Sequence, residues 1–264
     1  MKTLRFHYFM ELRFSEPVWG HRFTLRCFPR SGRRQAIEDL ETEIVPETPL
    51  SGGRDAFENI CAYGRILQPH QRFSVTVRGT AHTGLAAGEE AGPDYQAARF
   101  KYQTEFTRPG PAVTAFHDGL ALSGSGLERA MACMDALHRR FRYVSGATGV
   151  LTTAEQAMAQ GRGVCQDYAH ILLSLCRMEG IPCRYAAGLL PGEGESHAWT
   201  EIYEDGLWIA LDPTHNCLAG EGYIQFSAGR DSGDCSINRG IFMGHARQFQ
   251  SVRAWAGEEE EEPV

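Results

Sequence analysis

One cysteine in the sequence stands where a thiol can do chemistry. The run Gly161-Arg162-Gly163-Val164-Cys165-Gln166-Asp167-Tyr168-Ala169-His170 sets Cys165 at the start of a helical pattern. Glycines at 161 and 163 allow a tight turn and close approach of a second backbone or a substrate. A helix N-terminus gathers unpaired N–H groups and positive potential, which favours thiolate over thiol. The same amides can hold an oxyanion forming on a carbonyl. At about 100° per residue, Cys165, Ala169, Leu172, Leu173 and Cys176 share one face, so the thiol stands at the mouth of a buried stripe. A small core cysteine at a helix start accounts for the same pattern.

A thiol nucleophile needs a base, and the base needs an orienting group. His197 opens the alternating run His197-Ala198-Trp199-Thr200-Glu201-Ile202-Tyr203, and Asp205-Gly206 signals a two-residue hairpin turn. The chain then returns through Leu207-Trp208-Ile209-Ala210-Leu211-Asp212. If Glu204 faces Leu207, Trp199 faces Asp212, and His197 lies one diagonal step away on the same sheet face. Diagonal neighbours are within reach of a ring and a carboxylate, whereas a slip of one residue would separate them. The expected catalytic set is therefore Cys165, His197 and Asp212. Trp199, Tyr168, Gln166 and Asp231 are candidate substrate contacts, although packing and turn formation explain the same residue types.

The elements that must position these groups fall into two parts. Leu4, Phe6, Tyr8, Met10, Leu12 and Phe14 alternate with polar residues, the period of a half-buried strand. Strand-like runs follow at 22–28 and 72–78, with shorter ones at 37–45 and 57–63, separated by turn clusters. The flexible stretch Gly84 to Pro93 marks a boundary. Beyond it Ser125-Gly126-Leu127-Glu128 and Thr153-Ala154-Glu155-Gln156 fit capping boxes, with Gly161 ending the second helix and Cys165 to Met178 forming a third. Strands are expected at 183–190, 197–203, 208–211, 223–227 and 248–255. The expected fold is α+β: an antiparallel β-sandwich-like domain over 1–85, a connecting segment over 86–110, and a papain-like α+β core over 111–256.

Composition narrows the classes of function. The chain has 264 residues and a formal net charge of −7, but Glu258 to Glu262 form one acidic run and the body is near neutral. Residues 257–264 are expected to be a disordered acidic tail. A near-neutral body argues against nucleic acid as a partner, and no stretch approaches a membrane span. The N-terminus lacks the apolar core of a signal peptide. The cytoplasm is thus the expected setting, with most of the eight cysteines reduced and packed. Zinc at His215-Asn216-Cys217 with His170 or Cys235 matches no known ligand spacing. No metal or cofactor is expected.

These residues resemble the transglutaminase-like superfamily, and more narrowly its bacterial cysteine-peptidase branch with an N-terminal β-domain. The resemblance rests on Gly161 to His170, Gly180-Ile181-Pro182-Cys183-Arg184-Tyr185, His197-Ala198-Trp199 and Asp212-Pro213-Thr214. A late Gly229-Arg230-Asp231-Ser232-Gly233-Asp234 segment, Arg239-Gly240, and an early Asp55, Phe57, Asn59 set extend it from about Leu4 to Trp255. It implies Cys165 as nucleophile, His197 as base and acid, and Asp212 as orienting carboxylate. Cys183 replaces a more usual alanine; Ser232, Cys235 and Ile237 replace an aromatic, a valine and a proline, changes that bear on pocket shape. The implied chemistry is acyl transfer from a peptide or protein substrate through a thioester, completed by water or by an amine. No Asp-x-Asp-x-Asp-Gly loop supports a calcium requirement. A non-catalytic peptide-binding module, an arylamine N-acetyltransferase and a zinc-bound structural protein are the competing classes.

Overall fold

A computed structural model describes residues 1–90 and 94–258. The expected acidic tail lies, beyond Glu258, outside the described residues, as do 91–93 of the connecting segment. The fold is α+β, with a strand-rich N-terminal sandwich packed on a helix-and-sheet core. Among the described residues no helix is long and apolar enough to cross a membrane.

The sandwich is organised on a single strand. β1 runs from Lys2 to Phe28, where the sequence suggested two strands. Its first half pairs antiparallel with β5 (His70–Thr83), which in turn pairs with β2 (Gln35–Val45). Its second half pairs with β4 (Ile60–Ile66), itself flanked by β3 (Ser51–Arg54). Register shifts between Arg13 and Val18, and again between Trp19 and Arg22, bend the strand from one sheet into the other. Pro17 has no N–H to give a ladder, and Gly20 adopts φ +59°, so the corner falls where the chain can turn. The predicted alternation holds: Leu4, Phe6, Tyr8, Met10, Leu12 and Phe14 are all buried.

Helices then intervene: α1 (Asp94–Ala98), α2 (Pro111–Asp118), α3 (Gly126–Arg140), α4 (Ala154–Gln160) and α5 (Cys165–Met178). Both expected capping boxes form, at Ser125/Glu128 and Thr153/Gln156, and Gly161 closes α4 at φ +65°. Neither α1 nor α2 has a counterpart among the elements expected from the sequence. α5 is buried along nearly its whole length, and Thr200 on the sheet donates from Oγ1 to the Ala169 carbonyl of α5 at 3.3 Å.

The core sheet contains β6 (Cys183–Leu189), β7 (His197–Glu204), β8 (Leu207–Asp212) and β9 (Ile224–Gly229) in the order β8-β7-β6-β9. The last two strands, β10 (Asn238–Met243) and β11 (Gln248–Gly257), do not stay with this core, although the sequence assigned 111–256 to it. Both return to pair with β1. A strand's alternation reports that one face is buried but not which sheet it joins.

β9 is an edge strand, and an unpaired edge in a buried place needs partners for its backbone. Two side-chain amides supply them. Gln35 donates to the Gln225 carbonyl at 2.9 Å and accepts from its N–H at 2.8 Å. Asn59 does the same with Ala228, at 2.8 Å in both directions. Asp55 holds Asn59 in place by accepting from its backbone N–H and from its side-chain amide, both at 3.1 Å, and it also takes Arg26 Nε at 3.0 Å. Phe226 on β9 completes the seam by packing edge-on against Tyr8, ring centres 5.6 Å apart. The Asp-x-Phe-x-Asn segment thus pins the sandwich to the core sheet. Replacing Asn59 with leucine strands a buried donor and acceptor, and is expected to lower unfolding stability by about 2–3 kcal/mol. Urea denaturation monitored by tryptophan fluorescence checks this; an unchanged midpoint would refute the bracket's importance.

Candidate active site

Cys165 occupies the first turn of α5, and its surroundings explain the glycines before it. Asp167 accepts from the Val164 N–H at 2.8 Å and from Thr148 Oγ1 at 2.5 Å, so it caps the helix from its third position. A Cβ on Gly163 would stand 2.4 Å from Asp167 Oδ2 and 2.8 Å from its Cβ, so only glycine fits. Burial raises the Asp167 pKa, with the bonds from Thr148 and Val164 working against the rise. The first-turn N–H groups of Asp167 and Tyr168 go to the Val164 carbonyl. That of Cys165, at the first position of the helix, has no acceptor within the helix and lies at the positive end of its dipole.

The base arrives on the hairpin. Asp205 and Gly206 both have positive φ, 48° and 82°, as a type I′ turn requires. Glu204 pairs with Leu207 and Thr200 with Leu211, the register expected from the sequence. Carried one step further it sets Asp212 opposite Trp199. His197 then reaches Asp212 with Nε2–H donating to Oδ2 at 2.8 Å. The Cys165 thiol lies close enough to act on the charge of the His197 ring, and with Nε2 given to Asp212 the ring nitrogen left for the thiol is Nδ1. Burial opposes charge on this ring, but the bonds and charges of Asp212 and Cys165 outweigh it and lift the pKa to about 9.

Asp212 is fully buried and takes more donors than the sequence suggested. Its Oδ1 accepts the backbone N–H groups of Thr214 at 2.8 Å and His215 at 3.2 Å. Its Oδ2 accepts His197, His215 Nδ1 at 2.7 Å and Tyr223 OH at 2.7 Å. Burial alone would raise its pKa, yet these partners hold it far below the usual carboxylate range. Tyr223 and His215 are the residues that sequence reasoning missed in this role. The signal for His215 was local, three residues past the carboxylate; Tyr223 comes from another strand end and carries no such signal. His197, Asp212 and His215 also present ligand atoms within 4.8 Å of one another, a set able to hold a metal ion. In the arrangement described, both histidine nitrogens are hydrogen-bonded to Asp212 Oδ2.

The other expected contacts divide. Gln166 is half-buried, lines the cleft and donates to the Val150 carbonyl at 3.4 Å. Trp199 does not reach the cleft: it is fully buried, backs the His197 ring at 6.4 Å and meets Tyr223 edge-on at 5.4 Å. Tyr168 is likewise buried, with its hydroxyl on the Phe141 carbonyl at 2.7 Å. Asp231 is buried in a turn and accepts the Gly233 N–H at 2.9 Å. Large aromatics on helix and strand faces were drawn into the core by the area they bury. His170 is stacked on Phe106, ring centres 5.3 Å apart, and accepts the Ser232 N–H at 3.2 Å, so it anchors that same turn rather than touching the thiol. Burial depresses its pKa to about 3.

Two hollows, of about 450 Å³ and 650 Å³, meet at the thiol. Val164, Cys165, Glu195, Ser196 and His197 belong to both, so the reactive pair forms the saddle between them. Six of the other cysteines are buried, and burial pushes the thiols of Cys27 and Cys133 up to about 12. Cys217 alone is exposed.

The chain is similar to several known proteins. Residues 94–213 match the model described as the transglutaminase-like superfamily, and residues 4–82 match the bacterial transglutaminase-like N-terminal region. An uncharacterized protein of Mycobacterium leprae is 29% identical over 239 residues, covering 83% of this chain and 85% of its own. One from Mycobacterium bovis is 28% identical over 268 residues, covering 88% and 84%. A crystal structure from Cytophaga hutchinsonii, described as a "Putative Cysteine Protease", superposes with a TM-score of 0.80 at 19% identity, covering 99% of this chain and 92% of that one. It shares the fold.

Under limiting iodoacetamide, Cys165 is expected to label ahead of Cys217 and far ahead of the six buried thiols. His197→Ala should slow Cys165 and leave Cys217 unaffected. Peptide mass spectrometry reads both; labelling spread evenly, or led by Cys217, would count against an activated Cys165.

Proposed function

The chain belongs to the transglutaminase-like superfamily, and from that premise we propose that it is a cysteine-dependent acyl-transfer enzyme acting on peptide or amide bonds. The observation that carries the proposal is the arrangement at the saddle: Asp212 bonded to His197 Nε2 at 2.8 Å, with Cys165 and His197 lining the same two hollows.

In this reading His197 already holds the Cys165 proton on Nδ1 when substrate arrives, and sulfur bonds to the substrate carbonyl carbon. The carbonyl oxygen takes up the negative charge beside the Cys165 N–H. As the C–N bond breaks, His197 returns the proton to the departing amine, leaving a thioester on Cys165. Water then attacks, gives its proton to His197, and the C–S bond breaks to release a carboxylic acid. Asp212 keeps the ring oriented and stabilises its positive charge throughout. Hydrolysis is the simpler outcome. Transamidation is the second reading, favoured by the two hollows, one for the acyl group and one for an amine. We retain the cytoplasm as the proposed setting, on the strength of eight free cysteines.

A peptide-library cleavage screen, run with and without an added primary amine, tests the proposal. Free acids in both arms support hydrolysis, and amine adducts support transamidation. Cys165→Ala should reduce turnover by on the order of 10⁴-fold or more; residual activity near wild type would overturn the assignment.

The pH profile supplies an independent check. His197 is raised from 6.5 to about 9, so its protonated form persists across neutral pH and is lost above about 9. Accordingly kcat/KM is expected to fall on the alkaline side with an apparent pKa near 9. In Asp212→Asn that limb should move to lower pH, because the carboxylate's bond and charge no longer support the imidazolium. An unmoved limb would show that another group governs it.

A further inference from the structure

The geometry points to a second binding surface, on the sandwich, that receives an acidic, extended stretch of a polypeptide substrate. It lies where β4, β1 and β10 run side by side. Arg22 on β1 stands directly opposite Arg65 on β4 and Ile241 on β10, and Thr24 stands opposite Tyr63 and Arg239. Directly opposed residues share a face, so Arg22, Arg65, Arg239, Tyr63 and Ile241 form one exposed surface. They line a groove of about 710 Å³ whose walls include no acidic residue.

Like charges placed directly across a strand pair repel. Several other arginines of the sandwich have carboxylate partners: Arg26 with Asp55, Arg34 with Glu201, Arg78 with Glu41. Among the described residues, no ion pair or side-chain hydrogen bond joins Arg22, Arg65 or Arg239 to a neighbour. In a chain of net charge −7, three clustered arginines without counter-charge call for an anion from outside.

Three features select a polypeptide as that anion. Ile241, 70% exposed, and Tyr63, 41% exposed, sit among the arginines and give apolar side chains a place to pack. Among the described residues β10 pairs only with β1, so its outer edge offers backbone donors and acceptors to an added strand. Most tellingly, Arg239 lines both this groove and the hollow that holds Cys165. A chain lying across the thiol therefore continues onto this face without leaving the surface. The inference rests on the reading of the Cys165 cleft as a polypeptide site, and cleavage assays on the unaltered protein test that reading separately.

The experiment measures binding without turnover. A fluorescein-labelled peptide of about twelve alternating glutamates and leucines is titrated with the Cys165→Ala protein by fluorescence polarisation. Saturable binding that weakens with added salt is expected. Combining Cys165→Ala with Arg22→Gln and Arg65→Gln should weaken it about tenfold, as should replacing the peptide's glutamates with glutamines. Arg239→Gln alone is the second variant, an exposed change that leaves the opposed pair intact, and it should weaken binding in the same direction. Circular dichroism confirms folding of each. Equal affinity across proteins and peptides would overturn the proposal. So would tighter, arginine-dependent binding to phosphatidylserine vesicles or to a single-stranded oligonucleotide, or arginine-dependent dimerisation in sedimentation.

Discussion

A carboxylate buried beyond reach of water must be matched by donors, and Asp212 is the point at which the catalytic core meets that demand. Its two oxygens collect five hydrogen bonds from the loop that follows it, from His197, from His215 and from Tyr223 at the start of β9. Every one of these donors must arrive together, because a buried charge left half-satisfied is worse than an apolar side chain. The hairpin register, the position of β9 and the backbone after Pro213 are thereby fixed at one atom pair. The orientation of the His197 ring follows, and with it the place of the thiol's partner.

The sandwich supports this centre from a distance. Gln35 and Asn59 substitute for a missing strand along the β9 edge, and Arg34 reaches into the core sheet to share the buried Glu201 with Arg184, at 2.5 Å and 2.6 Å. Glu201 is held ionised by those two guanidinium groups against the cost of its burial. Both devices act on strands that carry the site: β9 brings Tyr223 and β7 brings His197. The sandwich is thus a brace whose contacts end on the elements that must not move.

Much of the site could be read from sequence because its determinants are local. The glycine-flanked start of α5, the Asp205-Gly206 turn and the two capping boxes each depend on residues a few positions apart, and they formed as expected. The hairpin count alone brought His197 to Asp212. What escaped was set by distance. Tyr223 on Asp212 and the partners of β10 and β11 depend on how remote segments pack. Trp199 and Tyr168 have residue types suited to a cleft, and only tertiary burial shows that they serve as packing. The arginine face was invisible for a related reason: Arg22, Arg65 and Arg239 become neighbours only through pairing across three strands.

The continuity of β1 has a consequence for how the molecule is made. Its residues 5–14 pair with 248–257, so β1 waits until β11, on the far side of the whole core in sequence, has been made before its sheet is complete. Pairings of such sequence separation carry a large loop-closure entropy and slow the search for the native state. Until they form, one edge of a long apolar strand lies open on the nascent chain, the kind of edge that recruits other chains. Assembly of the brace is therefore a late event in folding, one that follows synthesis of the core it supports.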